Sequence, residues 1–331
     1  MDPTDRVPLG RTGLQVTRLG LGTAPLGGLF TEVAEQQALA TVEAAWAAGL
    51  RFFDTAPLYG NGLAEQRLGR ALGPRPRADY VLATKVGRLL RADAPPEPGQ
   101  AFKGTPPVNP VFDFSAPGAD RSLAESLERL GLERVDILHI HDPDDHYDQA
   151  LGGAYRALVE LRHSGNIGAI GAGMNQAAML TRFAREADFD CFLLAGRYTL
   201  LDQSGLTELL PLCADRGIAI ICGGVFNSGI LANPEVDPRY NYAPASSEVV
   251  ERALRLQAVC ERHGVPLAAA AIQFPLGHPA VASVVVGARS AAELDEDLRM
   301  FRWPIPSALW AELRRDGLVA AEAPAPQSTT D

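Results

Sequence analysis

Four side chains of complementary chemistry lie at, or just after, the ends of short apolar segments in this sequence. Asp54 supplies a carboxylate, and Tyr59 supplies a phenol five residues later, in a turn that contains a proline and a glycine. Lys85 and His141 supply an ammonium and an imidazole, each at the end of a further apolar segment. Polar groups at the ends of successive short strands are the arrangement in which a barrel collects its chemistry on one rim.

These four residue types suit proton transfer by a tyrosine. An unperturbed phenol has a pKa of about 10 and is a poor acid–base group at neutral pH. A nearby ammonium such as that of Lys85 would favour the phenolate of Tyr59, and a carboxylate such as that of Asp54 would hold the ammonium in place. His141 would then hydrogen-bond a substrate oxygen. A lone Asp or Tyr at a strand end is usually structural, but the complete set predicts a catalytic site.

Other kinds of site have less support in the sequence. No His/Glu or Cys/His cluster has metal-ligand spacing, so no metal is expected. No serine or cysteine has the surroundings of an activated nucleophile. The acidic balance, 30 Lys and Arg against 40 Asp and Glu, argues against nucleic acid and anionic membranes as partners. The expected partner is therefore a small-molecule substrate.

The composition is that of a soluble globular enzyme, with 47% hydrophobic and 21% charged residues. No apolar run is long enough to span a membrane. The four cysteines form no CxxC pair and no secretory segment follows Met1, which predicts reduced core thiols in a cytoplasmic protein.

Short apolar segments alternate with helical patterns along most of the chain. The predicted strands are Arg18–Gly22, Leu50–Phe53, Tyr80–Thr84, Val135–Ile140, Ile167–Gly171, Cys191–Leu194, Ile218–Cys222 and Ala282–Val286. Each is followed by a helical pattern, and eight such pairs are the number that a closed (β/α)8 TIM barrel needs. A doubly wound sheet has less support because no G-x-G-x-x-G follows a strand.

The whole chain, residues 1–331, is predicted to form a single barrel domain with a core from about residue 7 to residue 319. A short hairpin between Val7 and Val16 would precede the barrel. Residues 88–118 are rich in Pro and Gly and have no helical period, so they predict a long functional or disordered rim loop. Residues 320–331 are predicted to be a mobile tail.

Five motifs resemble the signatures of the aldo-keto reductase family. They are Asp54–Gly60, Thr84–Lys85, Val135–His141, Ile167–Asn175 and Val286–Arg289. Each is moderately specific, but together they occur in the family's order and at the expected strand ends. The resemblance implies a barrel that binds a nicotinamide cofactor without a Rossmann motif and transfers hydride to or from a carbonyl carbon.

The resemblance also implies a role for each of the four side chains. Tyr59 would be the general acid or base, and Lys85 would lower its pKa. Asp54 would pair with Lys85, and His141 would orient the reacting oxygen. Asn175 would bind the carboxamide of the nicotinamide.

Cofactor contacts are implied around the same rim, with the glycine-rich loop Gly223–Gly229 along the pyrophosphate. The implied contact residues are Gly22, Thr23, Ala24, Asp54, Asn175, Gly223, Val225, Phe226, Asn227, Ser228, Gly229, Gly287, Arg289, Glu293 and Asp297. The chain departs from the broader family at Gly223, where a tyrosine usually stacks on the nicotinamide. It also departs near Ala195–Gly196, where a glutamine usually contacts the carboxamide.

The choice between NAD and NADP depends on the segment after the last strand. Glu293 falls where NADP-dependent members carry a basic residue for the adenosine 2′-phosphate. A carboxylate there would repel a phosphate and suit a ribose hydroxyl. Arg289 keeps NADP possible, but NAD is favoured.

Within the family, several segments resemble the branch of D-threo-aldose 1-dehydrogenases (L-fucose dehydrogenases), L-galactose dehydrogenases and pyridoxal 4-dehydrogenases. These segments are Thr55–Gly60, Pro110–Ser115, His141–Asp144, Gly196–Asp202 and Gly224–Gly229. The branch implies oxidation of a cyclic hemiacetal to a lactone with NAD, with a tyrosine as the base. The alternatives are an NADPH-dependent aldehyde or ketone reductase and, in another class, a cofactor-binding regulatory subunit.

Substrate contacts are predicted in the rim loops, where aromatic residues often cover a substrate. The candidates are Phe30, Phe114, Asp142, Arg197 and Tyr240, with Phe112 and Tyr242 beside two of them. Each has a structural alternative. The aromatic residues would pack their loops onto the barrel, Asp142 would lie in a solvated acidic loop, and Arg197 would pair with Asp202. His139 is expected to be a satisfied core histidine.

Overall fold

The structure, a computed structural model, describes residues 1–96 and 101–326, and its centre is a closed barrel of eight parallel strands. Each strand pairs with the next along the chain, and the last pairs with the first. The strands are β1 (Leu19–Gly22), β2 (Phe52–Asp54), β3 (Val81–Val86), β4 (Ile137–His141), β5 (Ala169–Met174), β6 (Cys191–Ala195), β7 (Ala219–Gly223) and β8 (Val281–Gly287). The predicted (β/α)8 fold is confirmed, with strand boundaries shifted by one to three residues.

One helix follows each strand and covers the outside of the barrel. These helices are α1 (Glu35–Ala47), α2 (Leu63–Leu72), α3 (Ala116–Leu130), α4 (Tyr155–His163), α5 (Ala177–Glu186), α6 (Leu209–Arg216), α7 (Ser247–Arg262) and α8 (Ala291–Arg302). Two further helices, Leu267–Gln273 and Ser307–Arg315, lie outside the eight predicted pairs. The first is alanine-rich and almost entirely buried, so it has no polar face from which a helical period could be read.

The barrel strands are buried on both faces, which explains why their sequences are continuously apolar. Side chains from the first residues of the strands, such as Phe52, Val81 and Ile137, fill the barrel interior at its amino end. Leu9 and Val16 belong to the same buried cluster. The amino end of the barrel is therefore packed with side chains.

Val16 belongs to an antiparallel pair of short strands, Arg6–Pro8 and Gln15–Thr17, and Leu9 directly follows the first of them. This confirms the predicted hairpin. A Cβ atom on Gly10 would lie 2.6 Å from the carbonyl oxygen of Gly217, so the hairpin turn fits closely against the bottom of β7. The hairpin closes the amino end and leaves the carboxyl rim to the functional groups.

The long rim segment after β3 is more ordered than its composition indicates. Arg88–Arg91 pairs in antiparallel fashion with Asn109–Phe112. Helix α3 begins at Ala116, inside the segment predicted to be a loop, because the Ser115 hydroxyl accepts a hydrogen bond from Gly118 N and caps the first turn. The segment predicted to be a functional or disordered loop therefore contains a hairpin, whose two strands are separated by residues that include 97–100, outside the described ranges.

The end of the chain also differs from its prediction as a mobile tail. Ala323 is 1% exposed, and the Arg314 guanidinium donates hydrogen bonds to its carbonyl oxygen at 2.7 and 3.1 Å. Residues 320–326 therefore lie against the barrel, while 327–331 are outside the described residues. Among the residues that the structure describes, no helix has both the length and the apolar character needed to cross a membrane.

Candidate active site

The carboxyl ends of β2, β3 and β4 are neighbours in the barrel, and they bring three of the four predicted side chains together. Asp54 is the last residue of β2, Lys85 lies near the end of β3, and His141 is the last residue of β4. Tyr59 reaches the same place from the loop after β2. The sequence separates these residues, and the parallel register of the barrel unites them.

Asp54 and Lys85 form a buried ion pair. The Lys85 Nζ atom lies 2.9 and 2.7 Å from the two carboxylate oxygens of Asp54 and 2.8 Å from the carbonyl oxygen of Thr55. The two side chains are 1% and 3% exposed. Burial raises the pKa of Asp54, and the positive charge of Lys85 opposes that rise. The predicted pairing of the two residues is present in the structure.

Tyr59 lies between this ion pair and His141. The Lys85 Nζ atom is 4.6 Å from the centre of the Tyr59 ring. The rings of Tyr59 and His141 meet edge to face, with their centroids 5.9 Å apart. Burial lowers the pKa of His141 well below its usual value, so its imidazole is neutral at pH 7. A neutral imidazole can hydrogen-bond an oxygen without adding charge to the site.

The pKa of Tyr59 differs from the sequence expectation. Burial raises it well above its ordinary value, and the charge of Asp54 raises it further. Lys85 does not offset this because Asp54 already neutralises its charge at hydrogen-bond distance. Tyr59 is therefore a neutral phenol at pH 7 in this structure, and a lowered pKa would need an additional positive charge nearby.

His139 lies one layer deeper in the barrel than His141 and is fully buried. Burial lowers its pKa to about 3, so it is neutral. Neither of its ring nitrogens has a hydrogen-bond partner among the described residues. His139 is thus a core histidine, as expected, but its polar atoms are not satisfied.

The loop after β7 contains four residues with positive φ angles. Asn227 and Ser228 have φ angles of 45° and 61°, and Gly224 and Gly229 have 60° and 104°. Backbone in such conformations turns N–H groups toward a common concave side, where a phosphate can bind. A Cβ atom on Gly229 would meet nothing within 4 Å. The pyrophosphate contact of this loop stays a prediction.

Other predicted cofactor residues lie at the same rim in different environments. Asn175 follows β5. Val225 and Phe226 lie in the loop after β7 and pack against the apolar core. Thr23 is fully buried and donates a hydrogen bond to the carbonyl oxygen of Asp54 at 3.0 Å, with Ala24 beside it. Thr23 therefore holds the end of β2.

Gly22 and Gly287, at the ends of β1 and β8, are paired in the barrel. A Cβ atom on Gly22 would lie 2.8 Å from Val285, and one on Gly287 would lie 2.6 Å from Pro25. Close packing therefore accounts for both glycines. At Gly223, a Cβ atom would lie 3.3 Å from a side-chain atom of Leu193.

The segment after β8 contains an ion pair between two predicted cofactor residues. Arg289 and Glu293 lie 2.6 Å apart, and the carboxylate also accepts a hydrogen bond from the Arg289 backbone at 2.8 Å. Partial burial alone would raise the pKa of Glu293, but the hydrogen bonds from Arg289 lower it overall. Burial and the charge of Glu293 raise the pKa of nearby Asp297 to about 8.

One predicted substrate residue, Asp142, lies beside His141, and another, Phe30, lies beside Tyr242. Asp142 Oδ2 is 3.5 Å from His141 Nε2 and 3.5 Å from the Arg88 guanidinium. The Phe30 ring lies 6.3 Å from the ring of Tyr242. Burial raises the pKa of Asp142 to about 6.

The other three predicted substrate residues have structural partners. Phe114 is fully buried, and its ring occupies the space next to Gly87 where a Cβ atom would lie, so it packs its loop onto the barrel, as the structural alternative expects. Arg197 donates to the Asn241 side chain at 3.0 Å and lies 3.6 Å from Asp202. The Tyr240 hydroxyl donates to Asp202 at 3.2 Å.

Phe102 and Arg88 also lie at the site, although sequence reasoning did not select them. The Phe102 ring is 6.2 Å from that of Tyr59, because residues 101–103 pair with residues 28–30. Phe102 stands in a stretch without periodicity, so no local signal identifies it. Arg88 lies shortly after the Thr84–Lys85 motif, and this nearness in the sequence is the signal that could have identified it.

The raised pKa of Asp142 predicts a pH-dependent effect on stability. An ordinary Asp titrates near 3.8, whereas folded Asp142 titrates at about 6. The folded protein therefore binds more protons than the unfolded chain between these values, and this contribution to stability is lost as the pH rises toward 6. We expect Asp142→Asn to gain about 1 kcal/mol relative to the wild type between pH 5 and pH 8, measured by urea unfolding. A pH-independent difference would contradict the assignment.

Comparisons with known proteins find similar sequences and structures over most of the chain. The sequence model of the aldo/keto reductase family matches residues 18–315. A pyridoxal 4-dehydrogenase from Microbacterium luteolum is 44% identical, and the alignment covers 96% of this chain and 98% of that protein. A D-threo-aldose 1-dehydrogenase from a Pseudomonas species is 45% identical, with 93% and 96% covered.

A solved aldo-keto reductase from Bacillus halodurans superposes with a TM-score of 0.73 at 26% identity and covers 96% of this chain and 97% of its own. The family resemblance inferred from the motifs is confirmed. The chain therefore belongs to the aldo/keto reductase family, and it is an oxidoreductase that uses a nicotinamide cofactor.

Proposed function

We propose that this enzyme oxidises the cyclic hemiacetal of an aldose, such as L-fucose or another D-threo-aldose, to its lactone with NAD. The observation that carries the proposal is the buried group of Tyr59 and His141 with the Asp142 carboxylate beside them. A carboxylate next to the reacting centre can accept hydrogen bonds from sugar hydroxyls. The 45% identity to a D-threo-aldose 1-dehydrogenase supports the same substrate class.

Tyr59 and His141 would share the reacting oxygen. With Tyr59 as the phenolate, its own proton having been released to solvent, the hemiacetal hydroxyl would donate its proton to the Tyr59 oxygen while hydride leaves the carbon that bears it, and the carbon–oxygen bond would become the carbonyl of the lactone. The neutral imidazole of His141 hydrogen-bonds the same oxygen and fixes its position. One proton and one hydride leave the substrate, so the two-electron oxidation is balanced.

The chain's residues would hold the cofactor around the rim. Asn175 would bind the carboxamide, and the loop Gly223–Gly229 would bind the pyrophosphate through its backbone. When bound, the oxidised nicotinamide supplies the hydride acceptor and a positive charge that favours the phenolate of Tyr59. Asp54 and Lys85 would keep the surroundings of Tyr59 rigid and charge-balanced.

A preference for NAD over NADP follows from the ion pair after β8. Glu293 holds Arg289 through several hydrogen bonds, so the guanidinium is already engaged. An added 2′-phosphate would have to displace that carboxylate and would be repelled by it. A ribose hydroxyl can instead donate to Glu293.

A second candidate, oxidation of the hemiacetal of pyridoxal, is favoured by the aromatic rings near the site. Phe102 lies beside Tyr59, and Phe30 lies beside Tyr242. A flat pyridine ring could stack on such groups. The 44% identity to a pyridoxal 4-dehydrogenase supports this alternative. We also propose a cytoplasmic location, since the four cysteines are all free and buried.

The substrate is tested by mixing the protein with NAD and either L-fucose or pyridoxal. NADH formation is followed by its absorbance. We expect turnover with the sugar and little with pyridoxal, because hydroxyl-binding groups stand beside His141. Turnover with pyridoxal alone would establish the second candidate. Silence with both, together with NADPH-dependent reduction of simple aldehydes, would contradict both oxidations.

The role of Tyr59 is tested by Tyr59→Phe, which removes the hydroxyl and keeps the ring. We expect kcat to fall by roughly 100- to 10,000-fold, as for loss of a general acid or base. Affinity for NADH, measured by fluorescence titration, should be retained. An unchanged rate would rule out Tyr59 as the proton-transfer group.

The cofactor preference is tested by Glu293→Gln, which removes the negative charge and weakens the hold on Arg289. We expect the ratio of kcat/KM for NAD to that for NADP to fall by about tenfold, equivalent to about 1.4 kcal/mol. Glu296→Gln is the matched control, since Glu296 forms a similar ion pair with Arg299 on the same helix at 2.6 Å. Equal ratios in both variants would contradict the role of Glu293.

A further inference from the structure

A short hairpin after β7 carries a strained tyrosine at its tip. Arg239–Tyr240 pairs with Ala243–Pro244, and Asn241 and Tyr242 form the two-residue turn. Their φ angles are 49° and 66°, the positive values that a type I′ turn requires at both central positions. Asn suits this conformation, but a bulky aromatic residue in it is an outlier. Residues held in such conformations cluster at functional sites.

Hydrogen bonds from two rim loops hold the hairpin tip in place. The Arg197 guanidinium donates to the Asn241 side-chain oxygen at 3.0 Å. The backbone N–H of Tyr242 donates to the Ser228 hydroxyl at 3.0 Å. The tip is therefore tied to the loops after β6 and β7, and the position of the Tyr242 side chain is fixed relative to the rim.

The Tyr242 ring packs against Phe30, and the backbone around Phe30 pairs with residues 101–103, which carry Phe102 beside Tyr59. The residue as a whole is 52% exposed, but burial and the charge of Asp142 raise the pKa of its hydroxyl, and the Asn175 side chain opposes that rise. The charge of Asp142 raises the pKa of Tyr242, and a charge on Tyr242 would in turn raise the pKa of Tyr59. The Phe30 ring packs beside the Tyr242 ring, 6.3 Å away.

Tyr242 and Asp142 thus add a hydroxyl and a carboxylate to the surroundings of Tyr59. Neither group takes part in the proton transfer. The reacting oxygen must lie between Tyr59 and His141. In a cyclic aldose, the nearest additional polar group is the hydroxyl on the neighbouring carbon, about 3 Å from the reacting oxygen, which is ordinary hydrogen-bond distance. A donor–acceptor hydroxyl and a carboxylate acceptor are the partners that such a hydroxyl needs.

We propose that Tyr242 is a specificity-determining residue that, together with Asp142, hydrogen-bonds the substrate hydroxyl on the carbon next to the reacting carbon. This inference rests on the proposed aldose oxidation and names the substrate feature that the site selects. A site built to hydrogen-bond a hydroxyl discriminates against the analogue that lacks it, because the buried polar groups then stay unpaired.

Tyr240 provides a matched comparison on the same hairpin. It lies two residues earlier, and its hydroxyl donates to Asp202 at 3.2 Å. Its ionisation responds to Asp202, Arg197 and Arg252, which are groups away from the catalytic cluster. Removal of the Tyr240 hydroxyl therefore tests the effect of weakening the hairpin without removing a group that faces Tyr59.

The test compares D-arabinose with 2-deoxy-D-ribose, which is the same sugar without the hydroxyl at C2. We expect the wild type to favour D-arabinose in kcat/KM, and Tyr242→Phe to reduce that preference by about 3- to 10-fold, the value of one hydrogen bond. The loss should fall on D-arabinose, while kcat/KM for the deoxy sugar stays near the wild-type value. Tyr240→Phe should keep the wild-type preference.

The possible outcomes separate this inference from the proposed function. If Tyr242→Phe lowers kcat/KM equally for both sugars, or leaves both unchanged, the assignment of Tyr242 is overturned while aldose oxidation stands. If the wild type oxidises neither sugar and no other aldose, the proposed function fails and this inference fails with it. NADH affinity measured by fluorescence should be the same in all three proteins, and a loss restricted to Tyr242→Phe would instead make it a cofactor residue.

Discussion

The ion pair of Asp54 and Lys85 is the interaction on which the rest of the site depends. Both charges are removed from water, and each is compensated by the other at 2.7 to 2.9 Å. A buried charge without such a partner would be strongly destabilising, so neither residue can be removed alone without cost. Because the pair joins the ends of two neighbouring strands, it also fixes the place where the Tyr59 ring can lie.

The neutral state of the surrounding groups follows from this arrangement. Lys85 disfavours a second positive charge nearby, and burial adds to the effect, so His139 and His141 are both uncharged. Tyr59 is likewise held as a neutral phenol by burial and by Asp54. The site therefore has little net charge of its own, and a bound cation or anion would shift its proton equilibria strongly. Such a site suits a reaction in which a positive charge on the cofactor disappears as hydride is transferred.

The barrel makes this chemistry possible by separating its two ends. The amino-terminal hairpin and the first residues of the strands fill one end with apolar side chains. The other end carries the polar groups, and three chain segments far apart in sequence surround them. These are residues 28–30, residues 101–103 and the hairpin at 239–244, joined to the rim by backbone pairing and hydrogen bonds. Stability and specificity thus reside in different parts of one fold.

The sequence by itself determined the strand and helix order, the four catalytic candidates and the family, because these depend on local periodicity and on short motifs. Only the tertiary structure showed that Phe114 is buried, that Phe102 lies beside Tyr59 and that Tyr242 lies at the tip of a hairpin tied to the rim loops. It also reversed the expected direction of the Tyr59 pKa shift. Those properties arise from contacts between distant segments and from removal of water, and neither is encoded in the pattern of neighbouring residues.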